Sequence, residues 1–294
     1  MPVKLLTRLT RRDLFRLCGA APLAAWTTAE PHDSPLPLAP GAATSPQRTA
    51  LIDSCRKRIA GLDTRFEKRV HRGSRTMPYR LFRPSETAKA PLVLYLHGSG
   101  GLGDDNVLQL GLGNIFGTLR WALPDTQQRL PCYVVAPQTD RGWANYETSQ
   151  SGPAHVTAGL GDGARLALEI VEALQRELPI DGRRLYVTGQ SMGGAGVWNL
   201  VAHRPQVFAA AVICCGSATP DDVKPLVHVP LWNFHGDADG TVPVAVSRNR
   251  IAALRKAGGH PFYTEYAGVG HNVWEWAFTE PALVEWLSAQ RRPA

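Results

Sequence analysis

The run Leu185-Tyr186-Val187-Thr188-Gly189-Gln190-Ser191-Met192-Gly193-Gly194 constrains the fold of this chain more than any other feature. A β-branched and aromatic strand pattern leads straight into G-x-S-x-G, and the helix-compatible Ala195-Gly196-Val197-Trp198-Asn199-Leu200-Val201-Ala202 follows. A chain that passes from strand to helix in so few residues must turn sharply, and glycines at 189 and 193 leave room where side chains would collide. Such a turn presents Ser191 at the top of a sheet, where its hydroxyl can be approached. The three-residue signature is short enough to arise as an ordinary Gly-rich loop, so its weight comes from the strand before it and the helix after it.

The flanking segments repeat the same alternation. Pro91-Leu92-Val93-Leu94-Tyr95-Leu96 is nearly all apolar, as a strand covered on both faces should be. Cys132 to Ala136, Leu185 to Thr188, Ala210 to Cys214, Leu231 to Phe234 and Phe262 to Tyr266 read the same way. Between them, Ala164 to Leu178 places Leu168, Val171, Leu174 and Leu178 on one helical face, with Glu169, Glu172, Gln175 and Arg176 opposite. Val244 to Lys256 and Pro281 to Gln290 predict two more amphipathic helices. Pro179 and Asp181-Gly182 end the first of these helices and turn the chain into the strand of Ser191. Upstream, Arg65 to Val70 and Met77 to Phe82 flank Arg72-Gly73-Ser74-Arg75 as an antiparallel hairpin. The pattern predicts an α/β fold: a mainly parallel sheet, helices on both faces, right-handed crossovers, and sites beyond the carboxyl ends of the strands.

A serine hydroxyl needs an adjacent base, and the base needs a group to orient it. On a strand-elbow-helix scaffold these partners follow in the order serine, acid, histidine. His260 and His271 are the histidines that lie beyond the plausible acids. His260 precedes the last strand, at the wrong end of the sheet, whereas His271 follows it in Ala267-Gly268-Val269-Gly270-His271-Asn272; His271 is therefore the expected base. The acid lies in His235-Gly236-Asp237-Ala238-Asp239-Gly240-Thr241-Val242-Pro243, where Asp237 and Asp239 are both candidates by residue type. An oxyanion formed at the carbonyl would be met by the Met192 amide and by a second amide in His97-Gly98-Ser99-Gly100-Gly101-Leu102-Gly103, with Ser99 first and Gly100 second. That loop has neither the Lys-Ser/Thr pair of a P-loop nor G-x-G-x-x-G opening a helix. Asp104, Asp105 and Asn106 could touch substrate, but capping of the next helix is the favoured reading. Trp143 and Trp274, with Trp276, could line a pocket or pack the loops; Gln190 and Gly100 are further pocket candidates. Trp198 and Trp286 fall on helices and are assigned to the core.

Together these motifs resemble the α/β-hydrolase superfamily, in the esterase and predicted-peptidase group related to polyhydroxybutyrate depolymerases, feruloyl esterases and phospholipase/carboxylesterases. The resemblance runs from about Met77 to Leu287. It is carried by Leu94 to Gly100, Gly103-Asp104-Asp105-Asn106, Val135-Ala136-Pro137-Gln138, Gly189 to Gly194, His235 to Pro243 and Gly268 to Asn272. The resemblance implies that the acid is the aspartate three residues before Val242-Pro243, which selects Asp239, and that no metal or organic cofactor is needed. Ser99 stands where related depolymerases and feruloyl esterases often carry cysteine. The implied activity is hydrolysis of carboxylic esters, small or polymeric, through an acyl-enzyme on Ser191. A serine peptidase is the nearest alternative, disfavoured because no propeller domain precedes the catalytic part. A catalytically silent binding protein on the same fold is the next.

Composition supports one large domain, with 294 residues, 44% hydrophobic and 19% charged. The net charge of +7 would suit a polyanion, but Lys4, Arg8, Arg11, Arg12 and Arg16 against Asp13 hold more than half of it in the first 29 residues. No basic-aromatic face for nucleic acid is left. Thr10-Arg11-Arg12-Asp13-Leu14-Phe15-Arg16, followed by the apolar Leu17 to Trp26 and the small residues Thr27-Thr28-Ala29, predicts a twin-arginine-type export signal over residues 1–29 and a periplasmic or secreted product. Its apolar part is too short to span a membrane, so no stable membrane insertion is expected after its removal. Residues 30–63 read as a Pro-rich linker with a short helix over Leu51 to Gly61, and residues 64–294 as the catalytic domain. Cys55, Cys132, Cys214 and Cys215 are expected as buried free thiols, since three of them sit in apolar strand-like runs and no Cys/His spacing suits zinc.

Overall fold

Ala90–Leu96 is buried along its whole length, because its unbroken apolar sequence lets a sheet be covered on both faces. The computed structural model describes residues 36–37, 45–85, 89–147, 155–217 and 223–293. In it Ala90–Leu96 is β3 of a sheet whose other main strands are β1 (Glu67–Arg72), β2 (Thr76–Phe82), β4 (Tyr133–Pro137), β5 (Ile180–Gln190), β6 (Ala210–Cys214), β7 (Leu231–Gly236) and β8 (Phe262–Tyr266). They lie in the order β1-β2-β4-β3-β5-β6-β7-β8, and Leu36–Pro37 pairs parallel to the outer edge of β8. The hairpin β1–β2 and the β2–β4 pairing are antiparallel; β4, β3, β5, β6, β7 and β8 run parallel. Tyr146–Glu147 and His155–Val156 form a separate two-stranded ribbon.

Five helices of seven residues or more accompany the sheet among the described residues: α1 (Pro46–Ile59), α2 (Asp162–Glu177), α3 (Met192–His203), α4 (Ala245–Lys256) and α5 (Leu283–Ala289). Alternate strand residues feed two cores. Val93 and Tyr95 point into one with Trp121, Phe278 and Trp286; Leu92, Leu94 and Leu96 point into the other with Val171, Val197 and Trp198. Trp198 and Trp286 are thus core, as expected. No helix among the described residues is long and apolar enough to cross a membrane.

Two boundaries differ from the sequence reading. The helix expected over Leu51 to Gly61 starts at Pro46, because the Ser45 hydroxyl caps it and proline suits the first helical turn. The helix packs onto the body of the fold: Ile52, Cys55 and Ile59 enter the core, and Arg48 donates to Tyr266 Oη, Trp276 O and Glu280 Oε2. Downstream, β5 begins at Ile180 rather than Leu185. Asp181-Gly182 does not turn the chain before the strand but lies inside it, where the pairing with β3 jumps from Ala90↔Ile180 to Leu92↔Leu185. The export signal expected over residues 1–29 and most of the Pro-rich stretch lie outside the described residues.

The chain leaves β3 toward β4 on one side of the sheet and later returns through β5 on the other. The loops after β3 and β5 therefore diverge at a crevice above two neighbouring strands, the switch point where sheets of this kind hold their sites.

Candidate active site

Ser191 joins β5 to α3 at φ 53° and ψ −120°, a backbone conformation that side-chain-bearing residues rarely adopt. The turn is held from three sides. Ser191 N–H donates to Cys214 O at 2.9 Å. A Cβ on Gly193 would lie 1.9 Å from Leu96 O, and one on Gly189 would lie 2.5 Å from Gly193 O. Both glycines are required by close backbone approach.

Three loops bring the predicted side chains together. Ser191 Oγ is 2.8 Å from His271 Nε2, and His271 Nδ1 is 2.7 Å from Asp239 Oδ2. With the Nδ1 proton directed at the carboxylate, Nε2 is left to accept the Ser191 hydroxyl proton. Asp239 is buried, whereas Asp237 is exposed and accepts the Gly268 N–H at 2.6 Å, tying the two loops to each other. Burial alone would raise the Asp239 carboxyl; hydrogen bonds from His271 and from the Val242 and Thr241 amides outweigh it and hold the group below its ordinary range.

Asp239 has a fourth donor that the sequence reading missed. His235 Nε2 lies 3.2 Å from Asp239 Oδ2 and 2.9 Å from Val242 O, while its Nδ1 is 2.7 Å from Ser247 Oγ. The carbonyl at Val242 fixes the His235 proton on Nε2, and burial lowers the pKa of the ring, so a neutral imidazole faces the carboxylate. His235 stands within the motif around Asp239; nothing in its residue type indicated that β7 would aim it back along the loop.

The amides expected to meet an oxyanion sit at the mouth of the site. Met192 opens α3, where its N–H has no acceptor within the helix. Ser99 and Gly100 are exposed in the loop after β3. Buried neighbours fix that loop. His97 Nε2 accepts the Thr139 N–H at 3.1 Å, which places the ring proton on Nδ1 and directs it to Gly98 O at 2.8 Å. Burial lowers His97 to about 4, so it stays neutral. Asn114 Oδ1 accepts the Gly98 N–H at 2.9 Å; no sequence signal marked Asn114 for this task.

Two pocket candidates are buried beneath the site: Trp143 takes its packing alternative, and the pocket expectation for Gln190 is corrected. Trp143 is fully buried, donates Nε1–H to His97 O at 2.8 Å, and packs edge-on against the His97 ring. Its indole is large and apolar enough to fill the space beneath the loop after β3, where it supports rather than lines. Gln190 is also buried: its Nε2 donates to Gly113 O at 3.0 Å, and its Oε1 lies 2.9 Å from the Tyr95 hydroxyl. Trp274 remains at the mouth, half-buried, with its ring 5.5 Å from His271 and edge-on to it. Asp105 caps the turn after the loop, accepting the Val107 and Leu108 amides. Cys55, Cys132, Cys214 and Cys215 are free and buried. Cys215 comes close to Asp239 and His271, but burial raises its thiol and its S–H points to His271 O at 3.5 Å.

The sequence profile of the phospholipase/carboxylesterase family matches residues 80–281, which hold Ser191, Asp239, His271 and His235 together with the loop after β3. The chain belongs to that family. Among its curated relatives is "Putative esterase NocK" of Nocardia uniformis subsp. tsuyamanensis, 27% identical over 244 residues, covering 80% of this chain and 66% of the relative. The crystal structure of a thermostable esterase superposes with a TM-score of 0.73 at 33% identity, covering 79% of this chain and 64% of that one. A ferulic acid esterase from the anaerobic fungus Anaeromyces mucronatus, at 15% identity and TM-score 0.55, shares the fold; it covers 76% of this chain and 90% of that chain. The chain thus spans slightly under two thirds of NocK and of the thermostable esterase.

Proposed function

We propose that this protein is an exported serine hydrolase that cleaves carboxylic esters through an acyl-enzyme on Ser191. The observation that carries the reading is the continuous relay from Ser191 Oγ to His271 Nε2 and from His271 Nδ1 to Asp239, at 2.8 and 2.7 Å, with Ser191 held at φ 53°.

Ser191 Oγ attacks the ester carbonyl carbon as its proton moves to His271 Nε2. The imidazolium so formed is stabilised by the Asp239 carboxylate, which stays ionised because four donors face it. The Met192 and Ser99 amides receive the negative charge on the carbonyl oxygen; one such donor contributes about 3 kcal/mol to the transition state. Collapse of the tetrahedral intermediate expels the alcohol, protonated by His271. Water, deprotonated by the same nitrogen, then releases the acid and restores Ser191. Family membership and the relatives named for esterase activity support an ester as substrate. The twin-arginine-like residues 10–16 support export.

A panel of p-nitrophenyl esters beside chromogenic peptides tests the reaction. Ester turnover is expected, lowered by about six orders of magnitude in kcat in Ser191→Ala, together with labelling of Ser191 by a serine-directed phosphonate. Peptide cleavage without ester cleavage would overturn the ester assignment, and a folded protein that fails to take up the phosphonate would overturn catalysis altogether.

A further inference from the structure

Leu112 combines two unfavourable properties. It holds φ +49°, a left-handed backbone that a branched side chain adopts only under constraint, and it is 69% exposed, more than any other large apolar side chain among the described residues. Neither property helps the protein fold. Strain of this kind persists where the surroundings over-determine it, and here they do: the next carbonyl, Gly113 O, is held by Gln190, and the residue after, Asn114, is held by its bond to Gly98.

The side chain so projected lies within the site. Leu112 Cδ1 is 3.7 Å from where a Cβ on Gly100 would stand, so it flanks the oxyanion loop. Gly113 backs onto the Trp274 ring, whose Cζ2 is 3.0 Å from the corresponding Cβ position, and Trp274 in turn stands edge-on to His271. An apolar wall therefore runs from the oxyanion loop through Leu112 and Gly113 to Trp274 and the base.

We propose that Leu112 and Trp274 receive an apolar substituent of the substrate ester, and that Leu112 sets the preference for its size. The inference rests on the ester-hydrolase reading of Ser191 and His271. A substituent laid on this wall leaves water and covers the exposed leucine, and each methylene so buried favours binding about fourfold. The substituent can belong to the acyl or to the alcohol part, since the wall joins the loop that meets the carbonyl oxygen to the histidine that meets the leaving group.

Two substrate series separate these sources: p-nitrophenyl acetate, butyrate and hexanoate, and methyl, butyl and benzyl acetate. Each is run with wild type, Leu112→Asn and Leu112→Met. Asparagine tolerates the left-handed backbone but is polar, so Leu112→Asn should keep or raise the melting temperature. In one of the two series it should cut the ratio of kcat/KM for the longest to the shortest substrate about tenfold. Leu112→Met should restore that ratio. A Leu112→Asn protein with the wild-type ratio in both series would overturn the proposal. So would a drop in melting temperature with equal losses on every substrate, which would mark Leu112 as structural. If wild type hydrolyses none of these esters, the functional reading itself fails and the wall fails with it.

Discussion

Asp239 shows how little of a side chain's role lies in its type. Its Oδ1 accepts two backbone amides, from Thr241 and Val242, and its Oδ2 faces the two imidazoles of His271 and His235. In Asp239→Asn the carbonyl oxygen is claimed by the backbone amides, so the new NH2 must face both rings. It would force the His271 proton to Nε2, where it opposes the Ser191 hydroxyl. A fall in kcat of about four orders of magnitude is expected with the fold intact, checked by steady-state kinetics beside circular dichroism. Asp237→Asn should leave kcat within a few fold, because its carboxylate serves the Gly268 amide. The reverse pattern would transfer the acid role to Asp237. By chain order alone the two aspartates were equal, and the resemblance separated them two residues apart; burial and the 2.7 Å contact give the physical reason.

At the scale of elements, the elbow between β5 and α3 works because three backbone segments nearly touch. Gly193 packs under Leu96 O at the end of β3, so α3 and the loop after β3 share one contact. Gly193→Ala would drive a methyl group into that carbonyl, and neither strand nor helix can yield without opening the sheet. Urea unfolding should show a loss of roughly 3 kcal/mol or more. Gly240→Ala, at a glycine with no atom near the added methyl and no left-handed φ, should change stability by less than about 1 kcal/mol. Equal stabilities would mean that the elbow relaxes and does not depend on this approach. The elbow and most strands were legible from periodicity and glycine spacing. The true start of β5 was not, since Asp181-Gly182 carries the signature of a turn and only the Ala90↔Ile180 pair before it brings the segment into the strand.

At the scale of the whole molecule, the proposed export and the catalytic fold make separate demands on the chain. If residues 1–29 direct export, cells producing the full chain should show ester hydrolysis in the periplasmic or secreted fraction, and exchange of both Arg11 and Arg12 for lysine should retain it in the cytoplasm. Unchanged export would overturn that reading. The folded body takes in α1, whose Ile52, Cys55 and Ile59 complete the core; the segment reads as a short helix outside the catalytic domain because what ties it in is distant in the chain, as Arg48 shows by bonding to Tyr266 and Glu280. Local sequence determined the alternation of strand and helix, the sharp turn at Ser191 and the order serine, acid, histidine, because these follow from periodicity, glycine sterics and chain direction. Tertiary structure alone decided that His235 shares the Asp239 carboxylate, that Trp143 and Gln190 support the site from below, and that Leu112 is held outward above it. Those are contacts between segments far apart in the chain, where burial, and not residue type, determines what a side chain can do.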